Sequence, residues 1–216
     1  MRLMFDAGGP SHPQTTAKPL ATASPRRKNH PAGKYLHLRG ATHPGVYRIQ
    51  RGIVSLEEVN EDGNRCILQF LGPGALLDGE MLWQSAREFD ARACTRVEVE
   101  RCDSDEQLRE PAFRLSVAQA MAQQGQRMAQ LKAALHQANA DQRVLHLLST
   151  LKALPAASGQ AIWLPTRTEM ADFLDLNHAT VSRVIARLRR NGVIQLVGTH
   201  SALVAWERLP QACLRH

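Results

Sequence analysis

The sequence predicts an α+β chain: a jelly-roll-like antiparallel β-roll, then one long helix, then a smaller helical unit closed by a β-hairpin. Three observations predict it. Short apolar runs separated by turn residues fill residues 35–99, a breaker-poor segment follows Pro111, and two short capped helical patterns precede alternating runs near the C-terminus. With 216 residues the chain is long enough for two domains, each burying its own core.

Taken in order, residues 1–32 mix Pro10, Pro13, Pro19, Pro25 and Pro31 with the basic run Arg26-Arg27-Lys28 and show no apolar periodicity. They read as a mobile tail whose charge run is solvated or available to phosphates. Residues 33–110 read as the β-roll. Its strands are Val46-Tyr47-Arg48-Ile49, Ile53-Val54-Ser55-Leu56, Ile67-Leu68-Gln69-Phe70-Leu71 and Val97-Glu98-Val99, broken at Gly52, Asp62-Gly63 and Gly72-Pro73-Gly74.

Residues 113–137 predict one long helix within a 111–138 segment. Leu115, Ala118, Met121 or Ala122, Gly125, Met128, Leu131 and Leu135 lie along one side at spacings of three and four. Small residues in so narrow a seam suit close packing on a second helix, so the segment reads as a dimerisation helix, with packing on the chain's own β-domain as the alternative for part of that face. Asn139-Ala140-Asp141 caps a further helix through Leu151, closed by Pro155 and Gly159, and the hinge to a 139–216 domain falls there.

Composition narrows the function. The formal net charge is +7, yet residues 35–110 hold nine basic residues against fourteen acids, while residues 161–216 hold seven against four. Such basic flanks suit a polyanionic partner. The four cysteines, Cys66, Cys94, Cys102 and Cys213, form no CxxC pair, which fits reduced thiols and argues against a metal site. No run reaches the roughly 18 apolar residues of a membrane span, and the N-terminus lacks the order of a signal peptide. The expected location is cytoplasmic, with no membrane partner.

The segment from Leu164 to Ala205 carries the function. Thr166 with Glu169 three residues on forms a capping box, opening a helix with Met170, Phe173 and Leu174 as its apolar contacts. Asp175-Leu176-Asn177 makes a tight turn, and Asn177 caps a second helix. There Val181, Val184 or Ile185, and Leu188 form the buried stripe. The other side carries His178, Ala179, Thr180, Ser182 and Arg183, then Arg187, Arg189 and Arg190, and residues 177–191 contain no acid. A second helix so placed enters the DNA major groove by its N-terminal residues, while Thr166, Arg167, Thr168 and the later arginines meet the backbone. Asn191-Gly192 ends it, and residues 193–205 read as a strand, turn and strand, completing a winged helix-turn-helix.

These residues resemble the Crp/Fnr superfamily of bacterial regulators. The helix-turn-helix of that family looks like Leu164–Leu174 followed by Asn177–Ile185. Upstream, Tyr47–Val54 is similar to its β-roll core, Gly72-Pro73-Gly74 to the next turn, and Gly79-Glu80 to the start of its phosphate-binding cassette, so that the resemblance covers about residues 33–209. It implies a homodimer on an inverted-repeat DNA site, with RNA polymerase as a further partner. Many members have a Glu where Ala179 stands, able to accept from a cytosine amino group, so an altered half-site is implied.

The same resemblance makes Gly79, Glu80, Arg87, Glu88 and Met128 the possible effector pocket. Members that bind cyclic nucleotides hold the phosphate with an Arg-Ser pair. Here that pair becomes Arg87-Glu88, which sets a carboxylate against a phosphate, and the long-helix positions that meet the base become Met128 and Ala129. Cyclic AMP is therefore doubtful as effector, a cyclic-AMP-responsive regulator being the alternative. The family's iron–sulfur branch uses an N-terminal cysteine cluster, whereas residues 1–65 contain no cysteine. No cofactor is identifiable. Among other classes, an enzyme is not expected, because no HxH metal pair, Ser-His-Asp set or phosphate loop is recognisable. A non-DNA ligand-binding or interaction module remains the alternative from a different class.

Overall fold

The computed structural model describes residues 27–43, 45–136, 138–154 and 160–209. Residues 1–26 of the tail expected at 1–32 and the helix stop expected at Pro155 and Gly159 lie outside them. Among the described residues eight strands come first: β1 (Arg27–His30), β2 (Tyr35–His37), β3 (Tyr47–Arg51), β4 (Val54–Val59), β5 (Arg65–Leu71), β6 (Leu76–Leu77), β7 (Asp90–Ala93) and β8 (Val97–Arg101). They form two antiparallel sheets, ordered β1-β8-β3-β6 and β2-β7-β4-β5. Ile49, Leu77, Val97 and Val99 of the first meet Val54, Leu71, Ala91 and Ala93 of the second in one buried core. This is the expected roll, closed by strands too short to stand alone.

One sequence expectation fails here. The tail was expected to run to residue 32, yet Arg27–His30 pair along β8 in the register Arg27↔Glu100 to His30↔Val97. Charge recruits this strand where apolar periodicity is missing: Arg27 meets Glu98 at 3.0 Å and Glu100 at 3.8 Å, and the Lys28 ammonium lies 5.4 Å from the centre of the Tyr47 ring.

A short helix α1 (Asp105–Arg109), capped by Ser104 and Gln107, leads into α2 (Pro111–His136), which starts on a proline whose missing N–H costs nothing at that position. The seam expected along α2 divides. Leu131 is buried and Leu135 packs on a core of the same chain, whereas Leu115 is 59% exposed and Ala122 and Gly125 face solvent. Ala118 and Met128 are half-buried. Thus Leu131 and Leu135 serve this chain's own packing, because a helix of 26 residues meets two neighbours along its length.

Beyond the Asn139–Gln142 capping box come α3 (Ala140–Leu151), β9 (Ile162–Trp163), α4 (Arg167–Leu174), α5 (His178–Arg190), β10 (Ile194–Gly198) and β11 (Ser201–Val204). The last three strands form a sheet ordered β10-β11-β9. The core of this unit does not stop at the domain boundary: Ile53, Ile67 and Phe70 of the roll join Val144, Leu148, Trp163, Met170 and Ile185 in one cluster. Phe70 is the wedge, its ring centre 5.2 Å from both Trp163 and Phe173.

Phe70→Ala should therefore lower stability by about 3–5 kcal/mol. In urea titrations, tryptophan fluorescence and far-UV circular dichroism are expected to coincide for the wild type and to separate for the variant as the two units uncouple.

Candidate nucleic-acid interface

Local chemistry fixes the two helices at this surface. The Thr166 hydroxyl accepts from the Glu169 N–H at 3.2 Å while the Glu169 carboxylate accepts from the Thr166 N–H at 2.8 Å, so the capping box opens α4 as expected. Asp175 ends α4 at φ +51°, a left-handed conformation that Asp tolerates better than most residues. Asn177 then accepts from the Thr180 N–H at 2.7 Å and starts α5.

Val181, Val184, Ile185 and Leu188 bury the inner face of α5, both alternatives at 184 and 185 being inside. His178, Ala179 and Arg183 are exposed, and Thr180 and Ser182 half-buried. Arg183 donates to the Thr180 hydroxyl at 3.0 Å, which gathers the expected reading residues on one face. Thr166 and Thr168 are exposed beside them. Burial, with the positive charge of Arg189 added, lowers the pKa of Arg167. Arg187 differs, because its guanidinium is already paired with Asp141 of α3. At the wing, Thr199 and His200 lie exposed on the turn between β10 and β11.

The residues expected to form the effector pocket converge only in part: Arg87 comes to the turn that carries Gly79 and Glu80, while Glu88 and Met128 stand apart. Gly79 lies against α2, where an added Cβ would sit 2.7 Å from Met121 Sδ and 3.1 Å from Val117. Met128 is two turns further along, about 10 Å at the helical rise. Glu88 points to solvent and accepts from Gln84 at 2.8 Å, so the carboxylate expected to face a phosphate does not. Arg87 does turn inward, only 4% exposed, and donates to the His43 carbonyl at 3.0 Å.

The acid that meets Arg87 is Asp78, which sequence reasoning passed over. At 5% exposure its carboxylate lies 2.9 Å from Arg87 and 2.8 Å from His37 Nε2, on the wall of a cavity of about 260 Å³ that Lys28, His30 and Tyr47 also line. Asp78 holds φ +64°. Glu80 beside it is half-buried, and burial raises its pKa, with the Asp78 charge adding to the shift and Arg87 opposing it.

A capped helix-turn-helix with an acid-free, arginine-bearing second helix and a β-hairpin wing, joined to a β-roll, defines a DNA-binding regulator. Comparison with known proteins agrees. Residues 27–109 match the cyclic nucleotide-binding domain and residues 142–212 the Crp-like helix-turn-helix domain. The transcriptional regulator LdrP of Thermus thermophilus is 30% identical over 162 residues, spanning 74% of this chain and 82% of the relative. The transcriptional activator protein FnrA of Stutzerimonas stutzeri is 27% identical over 175 residues, spanning 77% of this chain and 71% of the relative. Among solved structures, a CRP-family transcriptional regulator of Thermus thermophilus, TTHB099, superposes with a TM-score of 0.75 at 25% identity, covering 86% of this chain and 96% of that one. The chain belongs to the Crp/Fnr family of transcriptional regulators.

Asp78→Asn keeps a residue that tolerates the left-handed backbone but strands a buried guanidinium, so it is expected to cost about 3 kcal/mol. Thermal denaturation of the variant beside the wild type checks this.

Proposed function

We propose that the protein regulates transcription as a homodimer bound to an inverted repeat, and that it does so without cyclic AMP. The observation that carries the reading is the solvent face of α5, where His178, Ala179, Thr180, Ser182 and Arg183 stand without an acid among them. Hydroxyl, imidazole and guanidinium groups in the first turns of such a helix suit base edges in the major groove, and two copies related by a twofold axis read half-sites about one helical turn apart. Arg167 and Arg189 suit backbone phosphates, while Arg187 is paired with Asp141.

The exposed stretch of α2 supports the dimer. A Cβ at Gly125 would meet nothing within 4 Å, so the backbone there is open to a second helix, with Leu115, Ala118 and Ala122 on the same helix. For the effector, the pairing of Arg87 with Asp78 supports the reading: a guanidinium already neutralised by a buried carboxylate offers a cyclic phosphate no uncompensated charge, and Asp78 itself repels one. DNA as partner supports a cytoplasmic location. The similarity to FnrA and to the anr protein of Pseudomonas aeruginosa, both transcriptional activators, supports RNA polymerase as the second partner.

The test is selection of sites from a random DNA library by the purified protein at moderate salt, with and without cyclic AMP. The same inverted repeat is expected in both arms. Selection only with cyclic AMP overturns the effector reading, and selection in neither overturns site-specific binding. At the selected site, Arg183→Ala is expected to weaken binding by about 1–3 kcal/mol and to relax preference at one base pair, measured by fluorescence anisotropy. Unchanged selection by that variant removes Arg183 from the role.

A further inference from the structure

Two strands of the β-roll grip the first helix of the helix-turn-helix. Arg92 on β7 donates through Nε to Glu57 of β4 at 2.8 Å and through its terminal nitrogen to Glu169 of α4 at 2.7 Å. Glu57 is fully buried and Glu169 is 7% exposed. Three residues along α4, Asp172 accepts from Arg65 of β5 at 2.8 and 2.6 Å. Arg65 in turn approaches Glu57 at 3.8 Å, so the two contacts share one buried carboxylate. Phe70, between Trp163 and Phe173, fills the apolar part of the same junction.

Glu169 has two tasks in this arrangement. It completes the capping box that sets where α4 begins, and it anchors α4 to the roll. Burial acts against its charged form, but hydrogen bonds from Arg92 and Thr166 outweigh burial and hold its pKa below the usual carboxylate range. Only the left-handed turn at Asp175, Leu176 and Asn177 separates α4 from α5. Whatever fixes α4 on the roll thereby fixes the direction of α5.

From this geometry we propose that Arg92, seconded by Arg65, is a positioning residue for DNA recognition: by holding Glu169 and Asp172 it sets the orientation of α5 on the β-roll, and so the half-site spacing the dimer accepts. Arg92 touches no DNA in this role. The inference rests on the homodimer and inverted-repeat reading, and it assigns the selectivity for spacing to a junction within each chain. When a spacer changes by one base pair, each α5 must turn away from the direction that the junction holds. The discrimination against altered spacers is then limited by what it takes to release charge-assisted hydrogen bonds, about tenfold or more in affinity.

The experiment uses the full-length protein and DNA probes that keep both half-sites selected by the wild type while the spacer is lengthened or shortened by one and two base pairs. A probe with a single half-site, intact or scrambled, reports base preference separately. Wild type is expected to discriminate between spacers by about tenfold, Arg92→Gln by no more than about twofold, and Arg92→Lys by an intermediate factor, all three keeping the preference for intact over scrambled half-sites. A purely structural role predicts instead that both preferences fall together as the melting temperature falls. Glu169→Gln supplies a second variant, because Gln also completes a capping box while lacking the charge that Arg92 meets. Broadened spacer tolerance in it supports the proposal. A wild-type spacer profile in both Arg92→Gln and Glu169→Gln overturns it. Failure of wild type to prefer any paired site overturns the dimer reading itself, a result separable from the first because it needs no variant.

Discussion

Two carboxylates taken out of water need a cation between them, and in this protein Arg92 is that cation. Glu57 is buried in the β-roll and Glu169 sits at the start of the first DNA-binding helix, so the residue that satisfies both also joins the two units. Much else follows from the junction. Hydrogen bonds to both acids outweigh burial and raise the pKa of Arg92, which therefore stays charged. The pKa of Cys94, a near neighbour, also rises: burial, with the negative charge of Glu169 added, raises its thiol to about 12 and keeps it a protonated, unreactive packing residue. The apolar wedge at Phe70 completes the contact, because a polar bridge alone would leave the rest of the boundary open to water.

What the sequence made legible was mainly local. The capping box of Thr166 and Glu169, the cap at Asn177, the left-handed turn at Asp175 and the stripe from Val181 to Leu188 each depend on residues within one or two helical turns, and each stands where periodicity and capping chemistry put it. The second role of Glu169 was not legible, because its partner Arg92 is 77 positions away and nothing in a single sequence ties the two together. β1 was missed for a related reason. Its residues Arg-Lys-Asn-His show no apolar alternation, and the strand exists because an acidic neighbour, β8, lies beside it once the roll has folded.

The cavity in the β-roll shows a different limit. The Arg87-Glu88 pair was legible as a departure from the family pattern, and it directed attention to the wrong acid. Arg87 and Glu88 lie in a bent segment ahead of β7, where no alternation sets their directions; Arg87 turns inward and Glu88 stands exposed. The internal counter-ion comes instead from Asp78, which precedes Gly79 in a left-handed turn of the kind that Asp and Asn enter more readily than other residues. An acid in a sequence position that favours such a turn, next to a glycine packed against a helix, was the available signal.

The division of α2 connects these features. Near its start Val117 and Met121 lie on Gly79, next to Asp78, and at its end Leu135 packs into the core that holds the DNA-binding helices. A 26-residue helix spans roughly 39 Å, so one element packs beside the turn that carries Asp78 and also on the core that holds the DNA-binding helices. A ligand shifts such an element only as far as it binds one arrangement better than another. In the proposed reading a cyclic phosphate has little to offer, since the charge it would neutralise is already met by Asp78. The arrangement held by Arg92 is then the resting arrangement of the chain, and control passes to whatever sets the amount of protein rather than to a small molecule in the roll.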